Sequence, residues 1–142
     1  MAGIKDVIDK IKKMSDLNSN NLKPEDYAVP GGDADIVAKA IRKVKTAQIR
    51  KFFNKLKNLH QQAKRGRKID EVKIEILKLM PELAYAKGRN VITDDFYKLM
   101  KACLLKEGEG NKQQCKINSF PEFDNFMSFL EAIVAYHKVH SK

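Results

Sequence analysis

The chain has 142 residues, 43% of them apolar, and a formal net charge of +10 from 28 basic and 18 acidic side chains. That length and apolar content suit one helical or mixed domain with its own core. No run approaches the ~20 apolar residues of a spanning helix, and Met1-Ala2-Gly3-Ile4-Lys5-Asp6 lacks the apolar stretch of a secretory signal, so a soluble cytoplasmic protein with no membrane partner is expected.

In chain order, Ile4, Val7, Ile8, Ile11 and Met14 recur at helical spacing and predict an amphipathic helix within residues 1–14. Residues 15–32 are polar and broken by Pro24, Pro30 and Gly31-Gly32, which predicts a loop or tether. A tether would let the first helix stand off from the rest or be exchanged with a second copy. A helical core is expected over residues 33–140. It opens with Asp33 as N-cap for a helix carrying Ile36, Val37, Ala40, Ile41 and Val44. Thr46 leads into a longer helix with Ile49, Phe52, Phe53, Leu56, Leu59 and Ala63 on one stripe, ended by Gly66.

The next helix starts near Asp70, buries Val72 or Ile74 with Ile76, Leu77 and Met80, and is kinked or restarted at Pro81. Residues 81–87 read as one or two turns closed by a left-handed Gly88. Thr93 opens a helix with Phe96, Leu99, Met100, Cys103 and Leu104, which the polar run 107–111 ends. Ser119-Phe120-Pro121-Glu122 is a capping-box pattern that launches a last helix to about His140. Its aromatic and aliphatic residues span more than an ordinary surface stripe, so it is either central in the bundle or covered by another protein. No stretch alternates with period two. The fold class is all-α, a compact bundle of five to six helices in a single domain.

Charge is distributed unevenly. Residues 36–69 hold twelve Lys or Arg and no acid, whereas residues 1–32 and 93–142 are each balanced. Cations at a helix C-terminus answer the macrodipole, which accounts for Lys64 and Arg65, but does not account for 34 residues without an acid. On the long helix Arg50, Lys51 and Arg65 fall opposite the apolar stripe with Asn54, Asn58 and Gln61, and Lys64-Arg65-Gly66-Arg67-Lys68 adds a dense basic turn. Such a surface suits a polyanion held through its phosphates, without sequence choice.

Catalytic and metal chemistry find no foothold. Cys103 and Cys115 have no second cysteine pair, so neither a zinc site nor a disulfide framework is indicated. His60 lies on the apolar side of its helix, and His137 and His140 lack a third ligand. No nucleophile is paired with a base, which points to a binding subunit rather than an enzyme, with no metal and no cofactor.

Two strings carry a family likeness. Thr46-Ala47-Gln48-Ile49-Arg50-Lys51-Phe52-Phe53, followed by Leu79-Met80-Pro81-Glu82-Leu83-Ala84-Tyr85-Ala86-Lys87-Gly88-Arg89, resembles the small subunit of type III-A CRISPR-Cas effector complexes, over roughly residues 33–139. The resemblance implies a non-catalytic subunit present in several copies, lining the channel for guide RNA and target RNA and contacting the other subunits of the complex. Position by position it carries over Gln48, Arg50 and Lys51 from the first string and Lys87 and Arg89 from the second, with Tyr85 a match of structural kind. The family often has basic residues beside the proline, where this chain has Met80 and Glu82, so those positions are not carried over. The expected RNA-binding surface is therefore Lys45, Gln48, Arg50, Lys51, Lys64, Arg65, Arg67, Lys68, Lys87 and Arg89. The alternative is a small helical DNA-binding or transcription-regulating protein that uses helices 33–44 and 46–65 as a bihelical reader.

Overall fold

The computed structural model describes residues 3–108, 110 and 112–141. Its elements are α1 (Ile4–Lys12), α2 (Pro24–Tyr27), α3 (Asp33–Ala40), α4 (Thr46–Lys64), α5 (Ile69–Leu77), α6 (Leu79–Gly88), α7 (Asp94–Leu104), β1 (Leu105–Glu107), β2 (Gln113–Cys115) and α8 (Phe120–His140).

Helix α8 is the axis of the bundle. Its Ser119 cap accepts from the Glu122 N–H at 3.4 Å, and the Ser119 hydroxyl donates to the Glu122 carboxylate at 2.7 Å, so the carboxylate meets the cap hydroxyl rather than the cap backbone N–H of the expected capping box. Phe123, Phe126, Phe129, Leu130 and Ile133 are buried along it, with α3 and α4 packed on its length and α2 near its start. A helix apolar on so many sides is thus enclosed by its own chain. Helix α1 packs on α7 and α3, α5 connects α4 to α6, and α6 lies on α7. Thr93 caps α7 through the Phe96 N–H at 3.2 Å. The class is all-α, as the periodicity implied.

Two helix ends are closed by the same device. After α4, Gly66 at φ 109° lets the N–H of Gly66 reach Ala63 and that of Arg67 reach Gln62. After α6 the left-handed residue is Asn90 at φ 60°, not Gly88, which remains helical; Asn90 bonds to Lys87 and Val91 to Ala86. Asparagine tolerates this conformation, so the chain runs two residues further before turning.

Residues 15–32 depart from a free tether. Leu17, Leu22 and Tyr27 are buried, and Asn125 of α8 donates to the carbonyls of Leu17 at 2.9 Å and Leu22 at 2.7 Å while accepting from the Tyr27 hydroxyl at 2.9 Å. Gly32 then passes so close to Asp26 that a Cβ would lie 2.4 Å from its carbonyl oxygen. The polar composition had hidden three anchors spaced along it. The boundary of α3 also shifts by one: Gly32 is its N-cap, and Asp33 instead pairs with Lys10 of α1.

The second departure is a short antiparallel hairpin in which Leu105 faces Cys115 and Glu107 faces Gln113. Strands of three residues are too short to show a period. Following it, Lys116 is 1% exposed and donates from Nζ to the Ile11 carbonyl at 2.8 Å, tying the hairpin to the end of α1. Cys103 and Cys115 are buried free thiols, and burial pushes that of Cys103 up to about 12.

Candidate nucleic-acid interface

Helix α4 turns Ile49, Phe52, Phe53, Leu56 and Leu59 into the core. Their spacing leaves Arg50, Lys51, Asn54, Asn58, Gln61 and Arg65 on the far side, and all six are exposed. The helix has 19 residues and so is about 28 Å long at 1.5 Å per residue. Its first turn holds no acid, whereas α1, α3, α5, α6, α7 and α8 each carry one or more there. Lys45, the N-cap, contributes no side-chain cap, so the positive end of the helix dipole emerges among cations.

Of the twelve cations between residues 36 and 69, only Lys55 and Arg67 have a carboxylate partner among the described residues. Lys55 pairs with Glu82, and Arg67 lies 3.7 Å from Glu71 while donating to the Gln62 amide oxygen at 2.6 Å. Glu82 therefore ties α6 to α4. Arg42, Lys43 and Lys57 also lie exposed in the belt, although the expected set omitted them. Their signal was present in the acid-free run itself.

The expected residues fall into two groups. Lys64, Arg65, Arg67 and Lys68 crowd the α4–α5 turn, held by the backbone motif at Gly66. Lys45, Gln48, Arg50 and Lys51 occupy the other half of α4. The Lys55–Glu82 pair and the approach of Phe52 to Phe96, 6.4 Å between ring centroids, tie α6 and the start of α7 to the middle of α4. Lys87 and Arg89 lie at the α6–α7 turn, both exposed.

Lys87 is not idle: it bonds Asp94 at 2.7 Å and sits 4.9 Å from the centre of the Tyr97 ring. Hydrogen bonds from Lys87 and then Lys98 hold the Asp94 carboxyl below its ordinary range. Arg89 lies over Tyr85 at 5.6 Å. Tyr85 is 69% exposed, so its ring is not part of the core.

The histidines are otherwise employed. His60 meets Asp124 at 3.0 Å and stacks on Phe120, His137 is buried with Nε2 donating to the Val44 carbonyl at 2.8 Å, and His140 contacts Asp35. Among the described residues no cluster of three or more His, Cys, Asp or Glu could hold a metal ion. Among the described residues no helix is long and apolar enough to cross a membrane.

Against known proteins, the profile of the Csm2 Type III-A family matches residues 25–142. No curated protein and no solved structure gives a significant match.

Proposed function

The chain belongs to the Csm2 Type III-A family, a subunit of type III-A CRISPR-Cas complexes, and from that premise we propose that it is a non-catalytic subunit holding the backbone of guide and target RNA. The basic surface on α4, with the α4–α5 and α6–α7 turns, makes the contact. Apolar and polar surfaces elsewhere meet the neighbouring subunits and further copies of the chain, in the cytoplasm.

One observation carries this reading: among the described residues, ten of the twelve cations of residues 36–69 have no carboxylate partner, although acids are plentiful in the rest of the chain. Uncompensated like charge destabilises a folded chain by self-repulsion, and a polyanion removes that repulsion. Phosphate contact also requires no base-reading geometry, consistent with a convex helix flanked by basic turns. Several copies on one strand would add avidity to a weak single contact.

The test replaces Arg50 and Lys51 with Ala and titrates single-stranded RNA at several salt concentrations. Each lost phosphate contact makes the log–log slope shallower by about 0.7, so the double variant should lose about 1.4 units of slope together with affinity. An unchanged slope and affinity in a folded variant removes both residues from the surface.

A further inference from the structure

Among the described residues Tyr85 is the one aromatic side chain that faces solvent; every other aromatic ring there is buried or half-buried. The remaining tyrosines have settled environments: Tyr27 is buried and bonded to Asn125, Tyr136 donates to the Ala28 carbonyl at 2.6 Å, and Tyr97 lies under Lys87. The Tyr85 hydroxyl has no hydrogen-bond partner among the described residues. Its ring has Arg89 one helical turn away, with the guanidinium carbon 5.6 Å from the ring centre. Tyr85 stands on α6 and Arg89 caps it, and Glu82, one turn before Tyr85, pairs with Lys55 of α4.

We propose that Tyr85 and Arg89 form a stacking platform for an unpaired RNA base, a subsite within the phosphate-binding surface described above and resting on that reading. An exposed aromatic ring contributes little to folding, because the apolar area it would bury remains in water. Beside cations it acquires a use: with Arg89 over one face of the ring, a base can lie on the other, and the guanidinium offsets the charge of the adjoining phosphate. Stacking does not select a base, which matches a surface that otherwise contacts phosphates. It does select a state. A base within a continuous duplex is already stacked on its neighbours, so the platform engages single-stranded or flipped-out nucleotides.

The experiment uses the full chain and two probes, a single-stranded RNA oligonucleotide containing 2-aminopurine and a fully paired RNA duplex of equal length. Tyr85→Ala should weaken single-strand binding roughly tenfold, the scale of one aromatic–base stack, and abolish quenching of the 2-aminopurine. Tyr85→Phe should stay within about twofold of wild type, since the ring is kept. The salt slope should not change, because no cation has been removed, and duplex affinity should be unaltered. Wild-type single-strand affinity in Tyr85→Ala, with the slope still sensitive to Arg50 and Lys51, overturns the platform alone and leaves the ring to a protein neighbour. Equal losses on duplex and single strand also overturn it. A wild-type chain with no RNA affinity sinks both the platform and the surface it belongs to.

Discussion

Replacing Asn125 with Ala tests whether residues 15–32 belong to the folded core. Asn125 is 9% exposed and makes three buried bonds, two as donor to the Leu17 and Leu22 carbonyls and one as acceptor from Tyr27. Truncation strands two carbonyls and a hydroxyl in a dry environment, each worth about 1–3 kcal/mol when left unsatisfied. Allowing for partial relaxation, the loss is about 3–5 kcal/mol, a large share of the ~7–20 kcal/mol expected for a chain of this length. Urea unfolding followed by circular dichroism should show a midpoint lowered by about 2 M with little change in slope. Asn125→Asp should be at least as damaging despite its identical shape, because it aims a carboxylate oxygen at both carbonyls. A loss below about 0.5 kcal/mol in the Ala variant, the level of an ordinary surface substitution, would refute the docked segment and restore the free tether.

Two further outcomes follow from buried or constrained groups. Burial holds the Lys116 ammonium below its usual 10.5, so the unfolded chain binds that proton more tightly than the folded one. Wild type should therefore gain stability relative to Lys116→Met as pH rises from the folded-state value towards 10.5, and a difference between the two that is flat with pH would contradict the buried charge. Gly66→Ala forces a Cβ into a backbone at φ 109° and should cost at least about 1 kcal/mol in thermal or urea unfolding; a neutral result would mean that the α4–α5 turn is not held by that motif.

The helices that could be read from sequence were those whose apolar residues recur over several turns. Helices α1, α4 and α8 announce themselves in this way, and the phenylalanines of α4 occupy the core side that their spacing assigned them. The hairpin did not, because three residues per strand are fixed by tertiary contact with α5 and α7 rather than by local pattern. Residues 15–32 were legible as a loop but not as a docked one: Leu17, Leu22 and Tyr27 recur every five residues, a spacing that fits neither a helical nor a strand period, and only the distant Asn125 gives them a common purpose. At the α6–α7 turn, a glycine at residue 88 suggested the left-handed position that Asn90 takes.

The basic surface shows the same division. Composition disclosed the acid-free run, and helical spacing put Arg50, Lys51 and Arg65 outward. Which cations are already engaged required three dimensions: Lys55 with Glu82 and Lys87 with Asp94 join partners that the linear order does not rank above others. The exposure of Tyr85 was equally invisible, since a lone tyrosine in a short helical turn fits a core position as well as an outward one.

The bond from Lys116 to Ile11 has a kinetic corollary. Trading α1 between two copies would require withdrawing that amino group from the last turn of the helix and wetting Val7, Ile8 and Ile11 at once. Such a swap would cross a barrier close to that of unfolding. Whichever pairing a molecule adopts as it first folds is then the one it keeps, and mixing preformed populations would not scramble them.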